Sequence, residues 1–213
     1  MNRFPVALCL AALACTPALA QDKRSTIDLG VSYNRYGDAV ITGPTGTGVP
    51  PLATWEVGNV TAVMLNYQYQ LTPNVGLQLA TTWGGSFTTA GAGSLAAQGA
   101  LFKATPYSGT LFLNYQFFDE ANALRPFVGL GANYTGFSSV KSYTGQNVDM
   151  GDSWSIAAQA GARYAIDRNW SIVVSLGLNW SKSDVTISDA TGTQTARIEF
   201  RPVIFGLGVG YSF

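Results

Sequence analysis

Stretches of strictly alternating hydrophobicity run through most of the chain and limit its fold more than any other feature. In 63–71, apolar residues occupy every second position, and Met64, Asn and Gln lie between them. Successive side chains of a strand point to opposite faces, so each stretch predicts a strand with one apolar face. The eight predicted strands are 26–36, 57–71, 75–84, 105–118, 126–137, 153–166, 170–181 and 197–213.

The connections between these strands alternate in length. Those at 72–74, 119–124 and 167–169 are short and rich in turn-forming residues. The four others are long and rich in Gly, Thr and Ser. They are 37–56, 85–104, 138–152 and 184–196. Short turns on one side and long loops on the other are typical of outer-membrane barrels. The sequence therefore predicts an all-β fold, an eight-stranded antiparallel transmembrane β-barrel with long extracellular loops, short periplasmic turns and both termini on the periplasmic side.

Charge placement favours a membrane barrel over a soluble β-sandwich or a calycin-like carrier. Only 11% of the residues are charged, against about 25% in typical soluble domains. Five predicted strands carry no Asp, Glu, Lys or Arg. They are 57–71, 75–84, 105–118, 126–137 and 170–181. A lipid-facing Arg or Lys costs about 2–4 kcal/mol at the bilayer midplane, whereas a wet sheet face tolerates it.

Aromatic residues at the strand ends predict two interfacial girdles. The lower girdle consists of Tyr67, Tyr69, Tyr115, Tyr164, Trp170 and Tyr211, and the upper one of Trp55, Trp83, Tyr107, Tyr134 and Trp180. The alternative is that these rings fill a soluble core.

The amino terminus predicts export. Arg3 precedes an apolar stretch at 6–15 that is too short to span a membrane, and 18–20 form an Ala-x-Ala cleavage site. We therefore expect a cleaved signal peptide at 1–20, an outer-membrane barrel at 21–213, and a mature chain without cysteine. Acylation of Cys15 as a lipoprotein is the alternative.

The last predicted strand alternates between apolar residues and Gly or Ser, and the chain ends on Phe213. With Tyr211 two residues earlier, this end is similar to the signal that the barrel-insertion machinery of the outer membrane recognises. Pro202 cannot donate a backbone hydrogen bond, so a bulge is predicted there.

In order and spacing, several segments resemble the OmpW family of small outer-membrane proteins. They are 73–76, 125–134, 152–154, 161–170 and 202–213. The resemblance implies an eight-stranded barrel that takes up small hydrophobic molecules passively, through a loop-lined funnel with sideways exit into the membrane. Outer-membrane lipid and lipopolysaccharide are the expected surroundings.

If the apolar stripes face lipid, the inward residues can be ordered by height. The expected polar plug at the periplasmic end consists of Asp28, Gln68, Gln70, Gln78, Gln116, Arg163 and Ser171, with Arg163 paired to a carboxylate such as Asp28. The expected lining of the upper lumen consists of Ala62, Met64, Ala80, Phe112, Ala157, Gly177, Ile204 and Gly206.

These two sets suggest a mechanism. An apolar solute enters from the loops, is stopped by the plug, and leaves between strands where Pro202 interrupts the ladder. The alternative is a solid, non-conducting barrel that serves as a surface, adhesion or structural protein, because eight strands leave little room inside.

No catalytic, metal or cofactor site is expected. The chain has no His, and its cysteines fall in the predicted signal peptide, so the usual nucleophile pairs and transition-metal ligands are absent. Asp119 and Glu120 lie in a predicted turn, and Asp149 and Asp152 in a predicted loop. The balanced charge of 12 basic and 12 acidic residues argues against nucleic-acid binding.

Overall fold

The computed structural model describes residues 24–45, 53–93, 96–189 and 192–213. The predicted signal peptide, which contains both cysteines, lies outside these ranges. Its cleavage therefore stays a prediction. Within the described residues, no helix has the length and apolar character that crossing a membrane requires.

Thirteen strands and one short 3-10 helix at Ala96–Gln98 make up the described chain. The strands are β1 (Ser25–Arg35), β2 (Gly37–Thr45), β3 (Ala53–Val57), β4 (Val60–Gln70), β5 (Val75–Trp83), β6 (Phe87–Gly93), β7 (Ala100–Gln116), β8 (Leu124–Ser142), β9 (Asn147–Met150), β10 (Ser153–Ala165), β11 (Trp170–Asp189), β12 (Gly192–Phe200) and β13 (Val203–Ser212).

Eight of these strands close into a barrel. The order around the wall is β1, β4, β5, β7, β8, β10, β11 and β13, and β13 pairs back onto β1. Every neighbouring pair is antiparallel. The predicted eight-stranded antiparallel barrel is confirmed.

Alternation divides the wall of this barrel into an apolar outside and a mainly polar inside. On β7, Leu111 is 50% exposed and Leu113 is similarly exposed, whereas the alternating residues Phe112 and Asn114 are buried. The other strands repeat this pattern and form a continuous apolar band of outward Leu, Val, Ile and aromatic side chains. Such a band fits contact with hydrocarbon and does not fit water.

In the part of the barrel nearest the predicted loops, the apolar side chains face inward and the polar side chains face outward. We call this part the extension; it consists of β2, β3, β6, β9 and β12 with the adjoining ends of β7, β8 and β11. On β12, Ile198 is fully buried, whereas Arg197 is exposed and Glu199 is partly exposed. The extension is therefore built like a water-soluble β-structure, with its apolar residues inside.

Much of the segments 37–56, 85–104, 138–152 and 184–196, which the sequence assigns to loops, forms strands in the structure. Strands β2, β3, β6 and β9 lie in these segments, together with parts of β7, β8, β11 and β12. Their Gly, Thr and Ser content is typical of loops, but the strands still alternate, as Trp55 and Val57 show by being buried on either side of exposed Glu56.

A bulge lies at the height of Pro202, as predicted, but its extra residue is not on the strand that carries Pro202. The pairing register with β11 is the same before and after Pro202, since Ser181 pairs with Phe200 and Leu178 pairs with Val203. The extra residue lies on the opposite strand, where four residues (36–39) face three (200–202). Gly37 has a φ of 68° there, the left-handed conformation that glycine provides in a bulge.

The aromatic rims agree with the expected girdles except at Trp55, which is buried inside the extension. At the other end of the chain, Tyr211 and Phe213 lie on the outer face and are exposed. Their recognition by insertion machinery stays a prediction.

We expect Leu111→Arg to lower the free energy of unfolding in lipid vesicles by about 2–4 kcal/mol, because the charge enters the outward apolar band. Asn147→Arg on β9 of the extension is the matched control, because Asn147 is exposed and faces the neutral Ser188, and it should change this free energy by less than about 0.5 kcal/mol. Urea titration of the reconstituted protein measures both variants. Equal effects would mean that the band does not contact lipid.

Candidate functional site: the barrel lumen

A buried ion pair lies at the turn end of the lumen. The guanidinium of Arg163 donates two hydrogen bonds to the carboxylate of Asp28, at 2.7 and 2.9 Å, and a third to Ser171 Oγ at 2.8 Å. Asp28 is fully buried. Gly210 makes room for the group, because a Cβ there would overlap the carboxylate, the guanidinium and the hydroxyl. The charges are thus paired and hydrogen-bonded, as burial requires.

Amide side chains continue the polar filling above this pair. Gln78 Oε1 accepts hydrogen bonds from Asn114 Nδ2 and Gln159 Nε2, both at 2.7 Å, and Gln159 also donates to Asn114 Oδ1 at 2.8 Å. A Cβ at Gly129 would overlap Asn114 Oδ1. The sequence prediction named Gln78 but missed Asn114 and Gln159, whose inward positions follow from the same alternation.

The remaining plug residues also lie at the turn end. Gln68 and Gln116 are buried, and Gln70 is partly buried. The side-chain oxygens of Gln70 and Gln116 have no hydrogen-bond partner among the described residues. From here on, the polar plug consists of the seven predicted residues together with Asn114 and Gln159.

The residues predicted to line the upper lumen lie above the polar plug. Met64, Phe112 and Ala157 are buried and point inward, and the thioether of Met64 occupies the space beside Gly206. Ala80, Gly177 and Ile204 are partly buried. Ala62 belongs to the apolar cluster described below. Strand registers place the other seven in the middle of the barrel, not at its upper end.

A second polar layer covers this middle region. Asn133 donates to Thr110 Oγ1 at 2.7 Å, and its Oδ1 accepts a hydrogen bond from Asn179 at 3.0 Å. Ser155 donates to Asn179 Oδ1 at 2.6 Å. The sequence indicated scattered polar residues at this height but not a connected network. Since it is hydrogen-bonded across β7, β8, β10 and β11, the layer separates the middle of the barrel from the extension.

An apolar cluster fills the extension above the second polar layer. Rings meet at centroid distances of 5.3 Å for Trp55 and Phe102 and 5.4 Å for Tyr36 and Phe87. The cluster consists of Ala39, Trp55, Val57, Val60, Ala62, Phe87, Phe102, Ala104, Met150, Val185, Ile198 and Phe200. The sequence analysis missed most of it because it assigned these segments to loops.

The backbone ladder has a gap at the boundary between the second polar layer and the apolar cluster. No ladder pair joins 36–39 to 200–202, although both segments belong to the described chain. We call this gap the seam. Pro202 lies in it, and its carbonyl still accepts a hydrogen bond from the Asn179 amide at 3.4 Å. The interrupted ladder therefore lies on the side of β1 and β2.

Behind the seam is a small cavity. Its volume is about 30 Å³, and its lining includes Tyr36, Phe137, Phe200 and Pro202. The rings of Tyr36 and Phe200 pack edge to face, with centroids 6.1 Å apart.

The two acidic pairs weighed as catalytic candidates lie at opposite ends of the barrel. Asp119 and Glu120 are exposed in the turn between β7 and β8, and Asp149 is exposed on β9. Asp152 accepts a hydrogen bond from the Tyr134 hydroxyl at 2.5 Å. No three His, Cys, Asp or Glu side chains of the described ranges come together as a metal site.

Comparison with known proteins identifies the kind of barrel. The profile of the OmpW family matches residues 38–213. Outer membrane protein W of Salmonella typhi is 30% identical, over 100% of both chains. The dibenzothiophene metabolism operon protein PahQ of Pseudomonas aeruginosa is 26% identical over 53% of each chain. The crystal structure of the outer membrane protein OprG from Pseudomonas aeruginosa superimposes with a TM-score of 0.76, covering 89% of this chain and 95% of OprG; at 20% identity it shows the fold alone.

We expect Asp28→Asn to destabilise the barrel by about 3–5 kcal/mol, because it leaves the Arg163 guanidinium unpaired inside the lumen. The double variant Asp28→Asn/Arg163→Gln removes both charges and should recover much of that loss. Equilibrium unfolding in detergent micelles measures the two variants. If the single variant were as stable as the parent, the ion pair would not hold the lower lumen together.

Proposed function

Because the chain belongs to the OmpW family of outer-membrane barrel proteins, we propose that it is a channel for the passive uptake of small hydrophobic molecules. The solute enters the extension from outside the cell, passes through the apolar cluster and leaves sideways through the seam into the membrane. The protein contributes no chemistry to this process; it provides an apolar path across the polar layer of lipopolysaccharide.

One observation carries the proposal, namely the change in lumen polarity at the height of the seam. Above it the inward side chains are mainly apolar, with a few buried hydroxyls such as Ser183, and below it lie the Asn133 layer and then the polar plug. A hydrophobic solute in the extension would have to break these hydrogen bonds to move down, and each buried polar group left unpaired costs about 1–3 kcal/mol. Sideways exit through the seam, at the upper boundary of the hydrocarbon layer, breaks none of these hydrogen bonds.

The relative PahQ supports the solute class. Its name associates it with dibenzothiophene, an apolar aromatic compound. The aromatic lining around the seam, with Tyr36, Phe137 and Phe200, suits flat rings of this kind. We therefore propose small apolar aromatics or alkane-like molecules as the cargo.

A non-conducting surface or structural barrel is the second candidate, and the tight packing of the extension favours it. The cavity behind the seam holds only about 30 Å³, room for roughly one or two water molecules. Conduction therefore requires Tyr36 and Phe200 to move apart. The two candidates differ in whether removing one of these rings changes the rate of uptake.

We expect Tyr36→Ala to raise the uptake of a hydrophobic fluorescent dye several-fold, because it widens the cavity at the seam. The assay uses cells that lack other members of the family, since the lipopolysaccharide layer is the barrier to be crossed. Gly177→Trp fills the middle region below the seam and should leave uptake unchanged, as should its lipid-facing neighbour Leu176→Trp.

Three outcomes would contradict parts of this proposal. Slower uptake in Gly177→Trp but not in Leu176→Trp would place the path through the middle of the barrel. Unchanged uptake in Tyr36→Ala would remove the seam as the exit. Uptake equal to that of cells without the protein, in the parent and in every variant, would establish the non-conducting barrel. Heat-modifiable gel mobility confirms that each variant is folded.

A further inference from the structure

On the outer faces of three adjacent strands, an aromatic or apolar residue is followed two positions further up by a cationic residue. On β1, Tyr33 is followed on the same face by Arg35, and on β11, Trp180 is followed by Lys182. Tyr33 and Trp180 are 43% and 46% exposed and belong to the upper aromatic rim, where the hydrocarbon layer ends. The third cation, Arg201, lies between β12 and β13 at the same height.

Strand pairing brings these three cations together. Arg35 faces Val203, two residues along from Arg201, and Lys182 pairs directly with Glu199. We call Arg35, Lys182 and Arg201 the cationic patch.

One described carboxylate, Glu199, contacts this patch. It lies 2.6 Å from Lys182 and 3.6 Å from Arg201. The neighbouring carboxylate Asp184 is already held by Arg197 at 2.8 Å. Arg201 is 74% exposed, and Arg35 has no ion pair with any described residue. The described side chains of the patch therefore carry excess positive charge.

The cations are confined to one side of the barrel. On the next two strands around the wall, β10 and β8, the residues that follow the rim aromatics Trp154 and Tyr134 on the same face are Asp152 and Gly136, and neither is cationic. Lys103 and Lys141 face each other across β7 and β8, but they lie farther from the rim, in the extension. The cationic patch instead lies directly outside the seam, because Arg201 is one of the residues that the seam leaves unpaired.

We propose that the cationic patch binds a phosphate of the glycolipid that forms the outer leaflet, lipopolysaccharide. Guanidinium groups bind phosphate oxygens through paired, charge-assisted hydrogen bonds. The acyl chains of the same molecule lie against the apolar wall just below, where Val31, Leu178 and Phe205 are exposed. One glycolipid thus covers the outer mouth of the seam.

Because of its position, the cationic patch should bind a lipid phosphate more tightly than a free anion. A soluble phosphate would contact only the three cations, whereas a phosphorylated glycolipid contacts the cations and the apolar wall together. Each Lys or Arg near an anionic lipid surface strengthens binding about fivefold. The three together should contribute on the order of a hundredfold.

The test measures binding to the full-length mature protein in detergent, with purified phosphorylated lipid A as the probe and thermophoresis as the readout. The triple variant Arg35→Gln/Lys182→Gln/Arg201→Gln should bind on the order of a hundredfold more weakly than the parent. The control Lys103→Gln/Lys141→Gln removes two extension cations away from the patch and should bind within about twofold of the parent, as neither is placed to touch the phosphate. Glu199→Gln removes the competing carboxylate and should bind several-fold more tightly.

Two further binding measurements distinguish a lipid phosphate from a free phosphate ion. Dephosphorylated lipid A should bind weakly to the parent, and millimolar inorganic phosphate should not displace the phosphorylated form. Equal affinity of the parent and the triple variant would overturn the proposal, as would an equal loss in the Lys103/Lys141 control. Displacement by inorganic phosphate would mean that the patch is only an anion site. Because the assay measures binding and not uptake, its outcome is separate from that of the channel proposal.

Discussion

Every backbone amide and carbonyl within a hydrocarbon layer must find its partner inside the protein, and this requirement governs the whole molecule. A sheet meets it only by closing on itself. Here the closing contact is the ten-residue ladder between β1 and β13, from Thr26 with Ser212 to Arg35 with Val203. Once closed, the wall has one face toward lipid and one toward the lumen, and the alternation of side chains decides what each face contains.

The chain meets a different solvent above the upper rim, and its side-chain pattern changes accordingly. Below the rim the outside is apolar and the lumen is filled by hydrogen-bonded groups such as the Asp28–Arg163 pair. Above it, ion pairs such as Lys182–Glu199 lie outside and rings such as Trp55 and Phe102 lie inside. The seam occurs where these two arrangements meet, because four residues there face three and the ladder cannot continue.

Period-two alternation was sufficient to predict the eight membrane strands and the inward direction of residues such as Arg163 and Met64. It was not sufficient for the extension, because Gly, Thr and Ser are equally common in loops and in wet strands. The Asn133 network could not be predicted either, since it depends on the heights of residues from four different strands. The bulge was expected at Pro202 because proline lacks a donor, yet the missing donor faces β11, and Gly37 supplies the extra residue on the other strand.

Strand continuity differs around the wall, and this has a mechanical consequence. β7, β8 and β11 run without a break for 17, 19 and 20 residues. The longest spans roughly 65 Å at 3.3 Å per residue, about twice the thickness of the hydrocarbon layer. Elsewhere around the wall the strands are interrupted at the rim, where a short non-strand segment separates the two members of each pair. The pairs are β1 and β2, β3 and β4, β5 and β6, β9 and β10, and β12 and β13. The continuous strands couple the two halves, so bending of the extension against the embedded barrel is concentrated on the side where four neighbouring strands, β13, β1, β4 and β5, are all interrupted.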